Sequence, residues 1–208
     1  MNSSYILKEN FPELSSDQID LFKKHESLFI NWNQKINMIS RKDTAFFVER
    51  HVLHSLSIAK LLSFKDESEI LDVGAGGGFP GLPLAIMFPN VHFTLLDSIG
   101  KKTKVMKIIS EELGLLNVTV VNQRAEENDS KYDFIVSRAV APLEKLLRWS
   151  QKNIKKDSKN KIKNGFLCLK GGDLRKETAH IKKHIGVYNL SAWYDDSFYE
   201  TKKLLHVY

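Results

Sequence analysis

The sequence contains little that could form a covalent cross-link or a membrane anchor. Its one cysteine, Cys168, excludes an intramolecular disulfide and a cysteine-rich zinc site, and the apolar residues around it predict a buried, reduced thiol. No apolar run reaches the roughly 18 residues of a membrane-spanning helix. Residues 1–9 lack the basic and apolar regions of a secretion signal. We therefore expect a cytoplasmic protein without a membrane partner.

The composition is that of a folded, basic protein. At 208 residues with 42% hydrophobic content, the chain can bury a sizeable core within one domain. The net charge is +6, and the lysines concentrate in three groups, at 101–107, 152–163 and 170–183. These groups suit a polyanionic partner, and they equally suit solvated helix faces and a basic surface loop. Charge alone leaves both interpretations open.

Hydrophobic periodicity divides the chain into a helical part, 1–65, and an α/β part, 66–208. Helical spacing predicts one helix over 16–37 and a second from about 43 to 62. Short apolar strands then alternate with helices, which is typical of a parallel sheet covered on both faces. The predicted strands are 69–73, 91–97, 117–121, 132–137 and 165–169, and the helices between them are 81–88, 101–113 and 142–153. Two later stretches, 186–193 and 204–208, predict an antiparallel hairpin at the sheet edge.

A glycine-rich loop follows the first predicted strand. Glycines at 74, 76, 77, 78 and 81 let the backbone turn sharply and approach a ligand without Cβ atoms in the way. Residues 76–81 match the G-x-G-x-x-G dinucleotide pattern, so both a nicotinamide dinucleotide and S-adenosylmethionine are candidates. A plain turn without a ligand is the third interpretation.

Three neighbours of the loop decide between these candidates. Asp72 places a carboxylate before the loop, which would repel a pyrophosphate and attract a sulfonium or ammonium group by about 4 kcal/mol at ~4 Å and intermediate dielectric. Pro80 removes a backbone N–H where a pyrophosphate needs donors. Asp97 ends the second strand, where it can bind both ribose hydroxyls of either cofactor, or cap the next helix. The balance favours S-adenosylmethionine.

The end of the third strand supplies candidates for the adenine edge. Residues 123–126 are polar there, with the Ala125 N–H as a donor. Glu126 by itself equally suits a helix N-terminus, where an acid complements the dipole.

The end of the fourth strand is the expected place of the methyl acceptor. It has no Asn/Asp-Pro-Pro-aromatic tetrapeptide and no cysteine nucleophile, which disfavours exocyclic-amine and carbon-5 pyrimidine methylation. Acceptors that carry a free lone pair, such as guanine N7, remain, and positioning would then supply most of the catalysis. Arg138 suits guanine O6, a phosphate or a carboxylate, and it equally suits a structural pair with Asp72 or Asp97.

Two further features are candidates for contacts with RNA. Lys101, Lys102 and Lys104 occupy the first turn of a predicted helix, where the dipole disfavours positive charge, and such violations concentrate at functional sites. We therefore predict that this turn contacts RNA phosphates. His51 is a candidate near the mouth of the site, but a lone histidine on an apolar helix face is more often a core residue.

The chain resembles the RsmG (GidB) family of bacterial ribosomal RNA methyltransferases. The similarity runs from about residue 30 to 172, in the segments 32–37, 49–56, 72–81, 96–102, 123–126, 137–139 and 169–172. Its specific parts are Gly-Phe-Pro-Gly at 78–81 and Ser-Arg-Ala at 137–139. One departure is His54, where many members have an acid, and about the last forty residues carry no matching motif.

The resemblance implies a Rossmann-like class I S-adenosylmethionine-dependent methyltransferase fold, with a seven-stranded, mostly parallel sheet and an N-terminal helical extension. It also implies methylation of guanine N7 in the decoding region of 16S rRNA, as free RNA or in the small ribosomal subunit. We expect a monomer and no DNA partner.

The resemblance implies that Arg138 contacts the cofactor, or lies at the boundary between cofactor and substrate, instead of binding the substrate. With the candidates above, the predicted cofactor residues are Gly74, Gly76, Gly78, Phe79, Asp97, Ala125, Glu126 and Arg138. The predicted RNA contacts are His51, Lys101, Lys102 and Ser137. The alternatives are a methyltransferase acting on another RNA or a small molecule, an NAD-dependent oxidoreductase, and a non-enzymatic RNA-binding module that leaves the glycine loop unexplained.

Overall fold

The computed structural model describes residues 3–208, apart from the side chains of residues 41 and 42, and its first part is helical. Four α-helices precede the first strand: α1 (Ser3–Asn10), α2 (Ser16–Lys35), α3 (Arg41–Thr44) and α4 (Leu53–Leu61). Helix α2 begins with a capping box, in which the Ser15 hydroxyl accepts from the Gln18 N–H and the Gln18 side chain accepts from the Ser15 N–H. The helix therefore begins at residue 16, where the sequence predicts it.

The second predicted helix is interrupted. In place of one helix from about 43 to 62, α3 is followed by a π-helical segment, Val48–Val52, which leads into α4. A π turn inserts an extra residue into the helical repeat, and here it leaves both Val48 and Val52 buried. Apolar periodicity alone does not reveal such an insertion, because the apolar residues on either side stay at helix-like spacings.

A seven-stranded sheet forms the rest of the framework. Its strands are β1 (Glu69–Val73), β2 (His92–Asp97), β3 (Val118–Asn122), β4 (Phe134–Arg138), β5 (Gly165–Gly171), β6 (Ile185–Asn189) and β7 (Lys202–Val207). Their spatial order is β3-β2-β1-β4-β5-β7-β6, and β7 is antiparallel to both neighbours. The predicted mostly parallel sheet is confirmed, and the terminal hairpin pairs as predicted, with β7 inserted between β5 and β6.

Helices cover both faces of this sheet. The connecting helices are α5 (Gly81–Met87), α6 (Gly100–Glu112), α7 (Leu143–Ser150) and α8 (Arg175–Thr178), and 3₁₀ turns occur at Ala125–Glu127, Gln151–Asn153, Leu190–Ala192 and Ser197–Tyr199. Side chains alternate along each strand, so Ile70 packs in the larger hydrophobic cluster and Leu71 in the smaller cluster beneath α7. The same alternation decides where Asp72, Ser137 and Arg138 point.

The N-terminal helices pack on the sheet unit and on its glycine loop. Phe22 and Phe29 of α2 belong to the same hydrophobic cluster as Phe93 of β2. A Cβ atom added at Gly77 would lie 2.8 Å from a ring carbon of Phe29. The division of the chain at 65/66 stays a prediction. No helix within residues 3–208 is long and apolar enough to cross a membrane.

Candidate cofactor and substrate site

A cleft opens at the carboxyl ends of β1 to β4, the edge where open α/β sheets bind ligands. Its volume is about 510 Å³, which suits a nucleotide-sized ligand. The loops after all four strands line it, together with the connection between α2 and α3 and one side chain of α7. The lining residues are Met38, Ile39, Val73, Gly74, Ala75, Gly76, Gly77, Phe79, Leu96, Asp97, Ser98, Ile99, Lys102, Gln123, Arg124, Ala125, Glu126, Arg138, Ala139, Val140 and Trp149.

The glycine loop forms the floor of the cleft. Gly74, Gly76 and Gly78 have φ angles of 68°, 58° and 91°, a region that glycine enters at the least cost. A Cβ atom at Gly74 would lie 2.6 Å from Val140 side-chain atoms, so this position has no room for a side chain. Gly78 lies outside the lining, because it faces Leu82 of α5, 2.4 Å from where its Cβ would be. Gly78 thus shapes the loop from behind.

Asp97 ties the glycine loop to the loop after β2. It is 7% exposed, and each carboxylate oxygen accepts a backbone N–H at 2.8 Å, Oδ2 from Gly76 and Oδ1 from Ile99. The bond to Ile99 forms the local turn into α6, so the capping alternative describes part of its role. An ionised carboxylate accepts about four hydrogen bonds. Asp97 therefore keeps acceptor capacity for ribose hydroxyls.

The loop after β3 presents a free donor to the cleft. Ala125 opens a 3₁₀ turn, and its N–H has no acceptor among the residues that the structure describes. The Glu126 side chain is exposed at the rim, and its carbonyl accepts from Lys152 Nζ at 2.8 Å. A backbone donor beside an acceptor at the cleft wall is the arrangement that an adenine edge requires.

Arg138 stacks on Phe79 at the other end of the cleft. Its guanidinium carbon lies 4.5 Å from the Phe79 ring centroid, within the range of a cation–π contact. Burial lowers the pKa of Arg138 to about 10, and attraction by Asp72 opposes that effect. The side chain is therefore a cation at neutral pH, held by a ring and by a through-space attraction to Asp72.

Phe79 in turn rests on a buried aromatic cluster. Its ring centroid lies 5.8 Å from His25, 5.2 Å from Phe29, 5.7 Å from Phe47 and 5.3 Å from His51. Neither ring nitrogen of His25 or His51 has a hydrogen-bond partner within residues 3–208. Burial lowers the pKa of both histidines to about 3.

His51 is accordingly a supporting ring, as the core interpretation predicted. Its nitrogens are buried and it does not line the cleft. The structure does not support a contact between His51 and RNA, because no polar atom of the ring reaches the surface.

The expected role of Asp72 was wrong. Alternation along β1 directs its side chain beneath α5, where it is fully buried and Oδ2 accepts the Gly81 N–H at 2.8 Å. Burial raises the pKa of Asp72 to about 7, although the Gly81 bond and Arg138 lower it. Asp72 therefore holds the start of α5 and does not face a ligand in the cleft.

Ser137 also lies away from the cleft. Alternation along β4 turns it to the opposite face from Arg138, beside Cys168 of β5, and it is 2% exposed. The predicted contact of Ser137 with RNA is corrected on this ground, because RNA cannot reach it. Cys168 is a buried free thiol, as predicted, and burial raises its pKa to about 11.

The lysines of the first turn of α6 border the cleft. Lys102 is part of its lining, whereas Lys101 and Lys104 are exposed beside it. None of the three takes part in an ion pair within residues 3–208, while Lys107 on the same helix lies 3.9 Å from Glu111. The turn therefore presents uncompensated positive charge at the rim.

The site geometry fits S-adenosylmethionine. The left-handed glycines leave a cradle that a Cβ atom at Gly74 would fill, Asp97 retains acceptors, and the Ala125 N–H is a free donor. Each group is of the chemical type that the amino-acid, ribose and adenine parts of the cofactor need.

Comparison with known proteins decides the family. The sequence profile of the family described as rRNA small subunit methyltransferase G matches residues 18–198. The chain belongs to this family. Two curated relatives carry the family's name, Ribosomal RNA small subunit methyltransferase G. The protein from Christiangramia forsetii is 51% identical over 97% of this chain and 95% of its own length, and that from Phocaeicola vulgatus is 48% identical over 97% of both.

Membership in the rRNA small subunit methyltransferase G family confirms the resemblance seen in the sequence. It makes the chain an S-adenosylmethionine-dependent methyltransferase and decides against the NAD-dependent oxidoreductase. A solved S-adenosylmethionine-dependent methyltransferase from Aquifex aeolicus shares the fold, with a TM-score of 0.58 at 16% identity over 77% of this chain and 91% of that one.

Among the side chains of the cleft that were not identified from the sequence are Met38, Ile39, Ile99 and Trp149. Ile99 carried a signal, because a large apolar side chain two residues after a strand-end acid suits the flat face of a base, and in the structure it is 49% exposed. The other three come from distant elements, and no local pattern marks them.

Proposed function

We propose that this chain transfers the methyl group of S-adenosylmethionine to N7 of a guanine in the decoding region of 16S rRNA, as free RNA or in the small ribosomal subunit. The carrying observation is that two cavities meet at one wall, formed by Arg138, Ala139 and Val140. The cofactor cleft lies on one side and a cavity of about 460 Å³ at the ends of β4 and β5 on the other. The names of the relatives support small-subunit rRNA as the substrate. We propose that the protein acts on this ribosomal substrate in the cytoplasm, and that it acts as a monomer.

The cofactor contacts that we propose follow the order of the strands. Gly74 and Gly76 cradle the amino-acid part, with Gly78 shaping the loop and Phe79 beneath it. Asp97 accepts from the ribose hydroxyls, and the Ala125 N–H with its Glu126 neighbour contacts the adenine edge. When bound, the cofactor would supply an electrophilic methyl group on its sulfonium, and attack by a lone pair on the methyl carbon would break the S–CH₃ bond and release the neutral thioether. Arg138 lies where it can hold the cofactor carboxylate and fix the boundary with the acceptor.

The acceptor chemistry asks little of an acid or a base. Guanine N7 carries an in-plane lone pair and no proton, so the residues need only hold the ring in line with the methyl group. The buried rings that support Phe79 and Arg138 supply that rigidity. We therefore assign no general base to this chain.

The first turn of α6 is the proposed RNA phosphate contact. Replacement of both Lys101 and Lys102 by alanine is expected to lower the slope of log affinity against log salt by about 0.7 for each lost contact with single-stranded RNA. Lys107→Ala on the same helix is the control, because Lys107 is partnered by Glu111. An unchanged slope in the double variant with intact folding would remove this turn from the RNA interface.

Methyl transfer from labelled cofactor tests the proposed function itself. The protein is incubated with naked 16S rRNA, assembled small subunits, 23S rRNA and total small-molecule extract. We expect label in 16S rRNA or the small subunit alone. Label in 23S rRNA or in a small molecule, with none in 16S rRNA, would favour a methyltransferase with another substrate.

A further inference from the structure

The second cavity contains a carboxylate that the cofactor cleft does not share. Besides the common wall, it is lined by Lys170, Glu177 and Lys202, with His54 among the remaining residues. Lys170 lies near the end of β5, Lys202 at the start of β7 and Glu177 on α8. This is the acceptor side of the sheet.

Glu177 is held in place through one of its two oxygens. Oε1 accepts the Leu143 N–H at 2.6 Å, which caps the start of α7, and it accepts from Lys170 Nζ, also at 2.6 Å. Lys170 is itself 9% exposed and donates to the Ala141 carbonyl. The side chain of Glu177 is 23% exposed, and its Oε2 has no partner within residues 3–208. A fixed carboxylate therefore presents one free acceptor to the cavity.

Three other charged or polar side chains of the cavity offer different chemistry. Lys202 and Arg138 only donate hydrogen bonds. His54 packs edge-on against the rings of Phe198 and Tyr199, with its Nε2 buried. Among the described residues, the acceptor-only side chain of this cavity is Glu177.

We propose that Glu177 recognises the Watson–Crick edge of the target guanine, an inference that rests on the proposed function. Guanine carries its N1–H and N2–H₂ donors on the edge away from N7. With N7 at the wall shared with the cofactor cleft, that edge faces the part of the cavity that the cleft does not share, whose lining includes Lys170 and Glu177. The free Oε2 has two lone pairs and can accept from the N1–H and the N2–H₂, whereas adenine would present its N1 acceptor there and be repelled.

Lys170 is then a positioning residue. Its ammonium pairs with Glu177 and bonds to the Ala141 carbonyl next to the shared wall. It thus fixes Glu177 relative to the wall where N7 is placed, and charge-assisted hydrogen bonds of this kind are short and directional.

The test compares guanine with inosine at the methylated position of ligated 16S rRNA. Inosine keeps N7 and O6 and lacks the N2 amino group. Wild-type protein is expected to prefer guanine by about 10- to 100-fold in kcat/KM, the loss that one hydrogen bond to a charged group produces. Glu177→Gln keeps an oxygen for Leu143 and Lys170 and puts an amide N–H₂ against the guanine donors. Its preference should fall to within about threefold, with unchanged affinity for S-adenosylhomocysteine.

Glu144→Gln is the matched control, because Glu144 is exposed in the first turn of α7 and lines neither cavity. The proposal is overturned if wild-type protein treats inosine and guanine alike, or if Glu177→Gln retains the wild-type preference. Equal treatment of inosine and guanine by wild-type protein overturns the proposal even where the variant does not fold. Absence of 16S methylation by folded, cofactor-binding wild-type protein would instead overturn the proposed function, and this inference with it.

Discussion

Replacement of Asp97 by asparagine probes the junction between the glycine loop and the cofactor. Asp97 accepts the Gly76 N–H through Oδ2 and the Ile99 N–H through Oδ1, both at 2.8 Å. Asparagine has one oxygen and one N–H₂, so in either orientation one of the two backbone donors faces another donor. The variant also removes the negative charge that would bind the ribose hydroxyls.

The magnitude follows from the hydrogen bonds lost. A hydrogen bond to a charged group contributes about 1.5–3 kcal/mol, so the cofactor affinity should fall about 10- to 150-fold. The unsatisfied N–H is part-buried at either position and should lower the stability by roughly 1 kcal/mol, which is a decrease in Tm of about 2–4 °C for a chain of this size.

Calorimetric titration with S-adenosylhomocysteine measures the first effect and thermal unfolding the second. The 2′,3′-dideoxy analogue separates ribose contact from loop damage, because wild-type protein should lose affinity for it and Asp97→Asn should bind both ligands alike. Asp195→Asn, at an exposed position, is the control. A folded Asp97→Asn protein that binds S-adenosylhomocysteine within twofold of wild type would refute the ribose assignment.

Two further predictions concern stability. Burial lowers the pKa of His25 and His51 to about 3 in the native protein. Below the unfolded-state histidine pKa of 6.5, these two side chains therefore bind more protons in the unfolded chain than in the native one. The free energy of unfolding should therefore rise by about 1.4 kcal/mol per pH unit for each histidine between about pH 4.5 and 6.5. Asp72, with a native pKa raised to about 7, acts in the opposite direction, so Asp72→Asn should steepen this rise by a similar amount. Urea titrations in which the free energy of unfolding rises equally with pH in wild type and variant would contradict this. Gly81→Ala should destabilise by roughly 1–3 kcal/mol, since its Cβ would lie 2.0 Å from Leu95 Cδ2, and an unchanged urea midpoint would count against the packing.

The sequence predicts the sheet and the position of the cofactor loop well, because both depend on local signals. The limits of β1 agree with the prediction, and Asp97 ends β2 as expected. Apolar runs bounded by turn residues mark buried strands, and parallel strands carry their functional side chains at one edge. The glycine positions and Ala125 are therefore found without tertiary information.

Side-chain direction is harder to predict than position. Asp72 and Ser137 lie next to the right loops, yet a strand turns each successive side chain to the other face, and both are buried beneath helices. Asp72 does not act on a ligand electrostatically as expected, because it belongs to strand β1 and not to the loop that follows. The contact between Lys170 and Glu177 joins β5 to α8, and no spacing rule connects those two elements.

Identification of the methylated atom tests directly whether this chain methylates guanine N7 in the decoding region of 16S rRNA. Small subunits or 16S rRNA are methylated with this protein, and the product is reduced and treated with aniline, which cleaves RNA at N7-methylguanine. We expect a single new cleavage, at a guanine in the decoding region, that depends on S-adenosylmethionine. Incorporated methyl label without aniline cleavage, or cleavage outside 16S rRNA, would contradict it.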